Sequence, residues 1–417
     1  MKKARGQFMS GLDVGSYSIR FAIAQKTEGG IKLIGAAEVP SAGVHHGIVN
    51  SIEECVSSIS SALERAERMV GAPIEHVWVA MSGAHVSAQE SKGVVAVARS
   101  DGEITREDVE RALEAARTVA TPLNHEILHV MPQGFSVDGQ TGIKDPVGMT
   151  GVRLEVDTKI VQGLTTHIKN LTKAVYRTGL DIDNIVLSSL ATAEAVLTPR
   201  QKELGVAVID VGSSTISMAV YEEGDLIHIV TLPLGSERIT SDIAIGLRID
   251  IDLAEKIKLA CGRALAQAVP KKEEIDVAEL GAPTRALISC RYVAEIIEAR
   301  VEEMFKHVDK ELKKIGKSGM LPCGVVLTGG GSKLPELTEA AKNFLKLPAA
   351  LGCAIDVESI TDKVNDLSFA TSIGLALWGK TIEEEHRGRG MRGFVSRFQS
   401  VDKATQHIGK WFKSLLP

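Results

Sequence analysis

Two short stretches carry residues able to hold a phosphate tail. Leu12 to Ile23 reads LDVGSYSIRFAI, and Ile209 to Val220 reads IDVGSSTISMAV. They align without a gap at a spacing of 197 residues and share six of twelve positions: Asp13 with Asp210, Val14 with Val211, Gly15 with Gly212, Ser16 with Ser213, Ile19 with Ile216 and Ala22 with Ala219. Each is an apolar run, then Asp-x-Gly with small polar residues, then a second apolar run. That pattern predicts strand, tight turn, strand. The glycine permits positive φ and close approach of a ligand to the backbone. Turn amides and small hydroxyls hold phosphate oxygens as backbone nests do. A carboxylate beside the turn suits a hydrated Mg²⁺. Two such hairpins face to face would clamp a nucleotide phosphate tail from both sides. One copy would say little, since β-hairpins share a general likeness; a matched pair, one in each half of the chain, says more.

A different cradle is predicted at Cys323 to Ser332. A buried strand, Cys323 to Leu327, runs into Thr328-Gly329-Gly330-Gly331-Ser332, and Pro335 suits the first turn of a following helix. Strand, glycine run and helix start form a phosphate or nucleoside pocket, although TGGGS alone is only a turn. Glu255 and Lys258, three apart, share a helix face.

His125-Glu126-Ile127-Leu128-His129 spells HExxH, which binds zinc only where a helix sets both histidines on one face. Pro122 and Pro132 flank it, and Ile127, His129 and Met131 alternate with Leu128 and Val130. The stretch is predicted as a strand, without zinc. At the C-terminus, Phe394, Phe398, Val401, Ile408, Trp411, Phe412 and Leu415 recur mostly at three- and four-residue steps, with Arg397, Lys403, Lys410 and Lys413 between them. Such a helix lies in a membrane interface. The competing reading packs it on its own domain. Its place at the chain's end, the spacer EEEHRGRGMRG before it and its basic charge favour an anionic membrane surface.

A chain of 417 residues predicts at least two domains. No segment approaches the roughly 18 consecutive apolar residues of a membrane span, and MKKARGQFMSGLDVG has no apolar run of a signal peptide. Five scattered cysteines without a CxxC pair suggest reduced thiols in the cytosol. The net charge is −5, but from His386 onward seven Lys/Arg face one acid, so the tail is +6 and the rest of the chain −11.

The elements that must position these residues follow from periodicity. A helix is predicted after Ser51, with Glu54 completing a capping box and Gly71 and Pro73 ending it. From Ala84 to about Gln162 strands with glycine turns at Gly93 and Gly102 surround a helix capped by Thr105 and Asp108. Residues 237 to 316 read as mostly helical, with one long helix from about Thr284 to Ile315. A small-residue helix, Ser188 to Leu197, leads into the second hairpin, and another, Leu367 to Trp378, returns to the first half.

Paired phosphate hairpins, a TGGG motif and two small-residue connecting helices resemble the actin, Hsp70 and sugar-kinase superfamily. Within it the chain is similar to the FtsA family of bacterial cell-division actin homologues. The likeness spans nearly the whole chain, most specifically in GFSVDGQTGIKDPVGM, ATAEAVLTPRQKELGVAVIDVG, TSDIAIGL, RYVAEIIEARVEEMF, VVLTGGGSKLP and IGKWFKSLLP. The insertion and the terminal helix argue against actin, MreB and Hsp70 proper. The resemblance implies an α/β, actin-like ATPase fold: two lobes of RNase-H-like subdomains with an FtsA-type inserted α+β subdomain. Residues 1–83, 163–203 and 367–385 would form the first core and 84–162 the insertion. Residues 204–236 with 317–366 would form the second core, 237–316 a peripheral helical subdomain, and 386–417 the linker and membrane helix.

The resemblance also implies ATP with Mg²⁺ in the cleft. Asp13, Gly15 and Ser16 would form one phosphate loop, and Asp210, Gly212, Ser213, Ser214 and Thr215 the other. Asp13 and Asp210 would hold Mg²⁺ through water, Glu255 and Lys258 would flank the adenine, and Gly329, Gly330 and Gly331 would close over the nucleoside. The implied partners are a second copy of the chain in actin-like protofilaments, the C-terminal tail of the tubulin-like FtsZ, other divisome proteins and the membrane, with no nucleic acid. Arg291, Glu295 and Arg300 are the matching positions for the FtsZ tail. The implied location is the cytoplasmic face of the inner membrane at the division septum. The chain departs from the family where the second loop reads DVGSST in place of DxGGGT. Ser188 also stands where some relatives place a glutamate suited to positioning water, so at most weak ATPase activity is expected. Alternative readings are a pilus-assembly adaptor of the PilM type, which lacks the terminal helix, and a small-molecule kinase, for which no carboxylate base is evident. An Hsp70-like chaperone would need a peptide-binding domain after the nucleotide-binding region.

Overall fold

The computed structural model describes residues 8–27, 30–119, 122–283, 285–387 and 399–400. The chain opens on β1 (Met9–Val14) and β2 (Ser18–Thr27), antiparallel, with Asp13 opposite Arg20 and Val14 opposite Ile19. β3 (Gly30–Pro40) continues the meander, and a small hairpin follows, β4 (Val44–His45) with β5 (Ile48–Val49). Its turn residues His46 and Gly47 have φ of 50° and 72°, the positive values that a type I′ hairpin turn requires. α1 (Ile52–Val70) ends at Gly71 in the left-handed conformation, which relieves the last carbonyls without Cβ strain. Its predicted capping box is half made. Ser51 accepts from the Glu54 amide, while the Ser51 amide donates to the Gly43 carbonyl. β6 (His76–Met81) closes this segment.

The chain then departs into β7 (Ser87–Ala96), α2 (Arg106–Val119), β8 (His125–Val137), β9 (Gln140–Ile143) and β10 (Arg153–Leu164). β10 lies antiparallel between β7 and β8. Both arms of a cap form before α2, from the Thr105 amide to Asp108 and from the Asp108 amide to Thr105. Gly93 is no turn. It sits within β7, where a Cβ would lie 1.9 Å from the Ala112 carbonyl, so its role is to let α2 approach the sheet. Ile104, Leu113, Phe135, Leu154 and Val156 build a separate core here. α3 (Thr165–Tyr176), β11 (Asp181–Leu187) and α4 (Ser188–Val196) then return to the first body.

The second body repeats the plan. α5 (Pro199–Leu204) precedes β12 (Val206–Val211), β13 (Ile216–Glu222) and β14 (Asp225–Leu232). Helices α6 (Glu237–Leu247) and α7 (Ile251–Cys261) follow, then the short strands β15 (Glu274–Asp276) and β16 (Leu287–Ser289). α8 (Cys290–Lys314) is the long helix. It begins later than its periodicity predicts because β16 pairs with β15 and Ser289 caps the helix; Thr284 lies outside the described residues. β17 (Val325–Thr328), α9 (Leu337–Leu345) and β18 (Ala349–Leu351) complete this half, and β19 (Glu358–Ser359) returns to pair with β3 of the first body. α10 (Ala370–Arg387) then crosses back, and β20 (Gln399–Ser400) pairs with β8.

The sheet orders are β11-β6-β1-β2-β3-β19 and β14-β13-β12-β17-β18. In each, an antiparallel three-strand meander is extended by two parallel strands beyond its first member. The repeated sequence is thus a repeated architecture. The two bodies meet along α4 and α10, whose backbones come close at Gly374 and whose Thr192 and Thr371 hydroxyls lie 2.8 Å apart across the crossing. A Cβ on Gly374 would lie 1.8 Å from the Ala191 carbonyl, and one on Gly11 of β1 would lie 2.0 Å from the Ser372 carbonyl. Among the described residues no helix is long and apolar enough to cross a membrane.

Candidate functional site

A cleft of about 1020 Å³ opens between the bodies, at the upper end of the roughly 300–1,000 Å³ typical of ligand pockets. The thirteen residues that sequence reasoning assigned to a nucleotide all line it. Asp13, Gly15 and Ser16 come from the β1–β2 loop, and Asp210 with Gly212, Ser213, Ser214 and Thr215 from the β12–β13 loop. Glu255 and Lys258 come from α7, and Gly329, Gly330 and Gly331 from the turn after β17.

Local geometry explains the loop glycines differently from positive φ. Neither Gly15 nor Gly212 lies in the left-handed region. Instead, a Cβ would meet the Ser18 carbonyl at 2.8 Å in the first loop and the Thr215 carbonyl at 3.0 Å in the second. Both turns fold back on themselves, and only glycine lets them do so. The second loop has its carbonyl edge tied down. The amides of Ser236 and Glu237 donate to Gly212 and Ser213, and the Gly212 amide donates to Thr215. His46 Nδ1 lies 3.1 Å from the Ser214 carbonyl oxygen. The amide edge is left for an anion. In the first loop, Ser16 Oγ accepts from the Gly47 amide at 3.0 Å.

The two acids share one electrostatic environment. Burial pushes Asp13 up to about 6; Arg20 opposes this, and Asp210 and Glu38 add to it. Burial likewise raises Asp210, against hydrogen bonds from Thr371 and Thr192. Thr371 Oγ1 donates to Asp210 Oδ2 at 3.2 Å, and Thr192 Oγ1 lies 2.8 Å from Thr371 Oγ1. α4 and α10 thus fix the carboxylate. Arg20 reaches Glu38 at 2.9 Å and Asp13 at 3.8 Å. A divalent cation between the acids would restore the ionised forms.

On α7, Lys258 Nζ lies 2.6 Å from Glu255 Oε2 and donates to Thr240 Oγ1 at 2.8 Å, while Thr240 donates to Glu255. Exposed Ile251 and Leu259 supply apolar surface beside them, suited to a planar base. Gly329 has φ 86°, and a Cβ there would lie 2.1 Å from Asp210 Oδ1. The glycine run is itself a short 3₁₀ turn, Gly330–Lys333. Pro335 precedes α9 rather than starting it. Two observations test a phosphorylated ligand with hydrated magnesium against this wall. Ser214 and Ser188 are buried, and neither hydroxyl has a protein partner. Unpaired buried hydroxyls are destabilising, and a phosphate oxygen or a held water satisfies them. The donor set fits.

Sequence reasoning missed several lining residues. Arg20 was findable, since hairpin register puts it opposite Asp13 as Ser217 is opposite Asp210. Thr192 and Thr371 carry no local signal, because helices distant in sequence bring them to Asp210. His45, His46, Glu237 and Thr240 also line the cleft and were not singled out.

Other assigned residues lie elsewhere. His125 and His129 are on the strand β8, so no helical zinc face exists there. His129 is buried and accepts from the Leu187 amide at 3.0 Å. Arg291 and Glu295 pair at 3.7 Å on the outer part of α8. Arg300 is committed inward, with two bonds to Asp242 of α6 at 2.5 and 2.8 Å. It staples the two helices rather than offering a free cation. Phe394, Phe398, Val401, Ile408, Trp411, Phe412 and Leu415 lie outside the described residues. Within that stretch only Gln399–Ser400 are described, and they are extended against Val130 and His129, not helical.

Two lobes of repeated topology around such a cleft define an actin-like protein. Solved structures agree on the fold. A PilM-PilN type IV pilus biogenesis complex matches with TM-score 0.65 at 17% identity, covering 89% of this chain and 98% of that one. MreB5 of Spiroplasma citri bound to ADP matches with TM-score 0.54 at 13% identity, covering 92% and 99%. Sequence comparison is more specific. Residues 83–162 match the family model for the SHS2 domain inserted in FtsA, and residues 207–374 match that of the cell division protein FtsA. The FtsA proteins of Pseudomonas aeruginosa (35% identical over 95% of this chain and 94% of that protein), Bacillus subtilis (36%, over 95% and 88%) and Escherichia coli K12 (32%, over 100% and 98%) align nearly end to end. The chain belongs to the FtsA family of cell division proteins.

Proposed function

We propose that this chain binds ATP with Mg²⁺ in the interlobe cleft, assembles with copies of itself, and tethers FtsZ to the cytoplasmic membrane at the septum. The observation that carries the reading is the meeting of the two duplicated acidic loops in one cleft. Ser16 and the Ser213–Thr215 loop would hold phosphate oxygens, and Asp13 and Asp210 would orient waters on the metal. The metal, when bound, neutralises phosphate charge. Glu255, Lys258, Ile251 and Leu259 would hold the base, and Gly329–Gly331 leave room for the nucleoside.

Because each lobe supplies one loop, a ligand bound to both favours the closed arrangement by its differential affinity for it. Nucleotide then acts chiefly as a conformational ligand. Ser188 offers a hydroxyl, not a carboxylate base, which supports slow turnover at most. Half-buried Arg291 and exposed Glu295 remain the positions on α8 for the FtsZ tail; Arg300 would act by positioning α8. The test is co-sedimentation with anionic liposomes and FtsZ, with and without ATP. FtsZ is expected in the pellet only when this chain is present, and more of it with ATP. FtsZ left in the supernatant in every arm would refute tethering.

A further inference from the structure

We propose that His45, His46 and Glu237 form a transition-metal site that bridges the lobes, distinct from the magnesium position at Asp13 and Asp210. One ligand atom from each of the three lies within 4.8 Å of the others. His45 ends β4 and His46 opens the type I′ turn of the first body, whereas Glu237 begins α6 of the second. Consecutive residues in an extended strand point to opposite faces. Here the left-handed φ of His46 brings both rings to one side, and they stack at 5.1 Å with planes 17° apart.

The surroundings are those of metal ligands. A ligating imidazole donates its other N–H to a carbonyl or carboxylate, and ligating carboxylates are themselves hydrogen-bonded. His46 Nδ1 faces the Ser214 carbonyl at 3.1 Å. In the tautomer that donates there, Nε2 carries the lone pair. Glu237 Oε2 accepts from Ser213 Oγ at 3.4 Å. Two imidazoles and one carboxylate, with a fourth position open to water, is a donor set that holds Zn²⁺. Imidazole disfavours Mg²⁺, which prefers oxygen ligands. Ligands on one zinc sit about 3.3 Å apart at metal–ligand distances near 2.0–2.2 Å, so side-chain rotation suffices to close the site. With ligands from both lobes, the metal would hold the cleft shut without nucleotide.

The test uses the full-length chain, stripped with a chelator and without nucleotide, titrated with Zn²⁺ against a chromophoric competitor. The wild type is expected to show a high-affinity site. His45→Ala, His46→Ala and Glu237→Gln should each lower its affinity at least by the roughly 10–100-fold that loss of an outer-shell partner alone produces. Zinc should raise the melting temperature of the wild type and not that of Glu237→Gln, whose fold is checked by circular dichroism. A wild type without the site, or one whose isotherm is unchanged in His45→Ala or Glu237→Gln, overturns the proposal. Because nucleotide is absent throughout, such a result leaves the ATP reading standing.

Discussion

At the residue scale, Asp13 places function and stability in opposition. Its carboxyl is raised to about 6 by burial, with Asp210 and Glu38 adding to the effect. A carboxyl raised in the folded state stabilises the fold while protonated, and that contribution is lost as pH rises from about 4 through 6. Above pH 6 the free protein therefore holds a disfavoured charge. Asp13→Asn is expected to raise the melting temperature at pH 7.5 without ligand while weakening Mg-ATP binding in calorimetry. A lower melting temperature would show that Arg20 depends on the charge more than burial opposes it. The buried histidines act with the other sign. His129, lowered to about 4 by burial, and His85, lowered to about 4 by burial and by His167, bind protons more readily when unfolded. Stability from them is lost as pH falls from about 6.5 through 4. Asp13 partly offsets that loss, so the acid side of the stability profile should be steeper in Asp13→Asn than in the wild type, as read by urea titration at a series of pH values.

At the element scale, the crossing of α4 and α10 joins the lobes and orients Asp210 through Thr371 and Thr192. Gly374→Ala would drive a Cβ into the Ala191 carbonyl, 1.8 Å away. Overpacking of this kind costs about 1–3 kcal/mol. Backbone, unlike a side chain, cannot rotate aside, so the upper end is expected in chemical denaturation, together with weaker ATP binding as Thr371 shifts. An unchanged midpoint would mean the crossing is loose. Much of this scale is legible in sequence, for physical reasons. The duplicated hairpins announce themselves because each must reproduce the same turn, and Gly15 and Gly212 are fixed by the same clash. α1 and α8 show in their apolar spacing because each buries one face. What stays hidden depends on pairing over distance. The β4–β5 hairpin is too short to show alternation, although His46-Gly47 suits its turn. β15–β16 cuts short a helical period that reads as continuous only because Leu287 and Ile288 are apolar. Arg300 looks like a free surface cation because Asp242 is 58 residues away. HExxH fails as a zinc motif because β8 separates the two histidines along a strand.

At the scale of the whole molecule, charge divides the chain. Residues from His386 onward carry +6, and the remainder carries −11. An acidic body is repelled by an anionic leaflet, so in the proposed membrane reading attachment would come from the tail. In that reading its aromatic and aliphatic residues would supply buried area, and its basic residues would supply about 1 kcal/mol each near such a surface. Removal of residues 394–417 is expected to shift the protein from the vesicle pellet to the supernatant; unchanged pelleting would count against the anchor. Replacing Lys410 and Lys413 by Ala removes about 2 kcal/mol, or roughly 30-fold in partition. The loss should appear on phosphatidylglycerol vesicles and vanish on phosphatidylcholine. High salt should mimic it, since the screening length falls to about 3 Å at 1 M. A double variant that binds both lipids equally and less than the wild type would place the lysines in packing rather than in attraction to the leaflet.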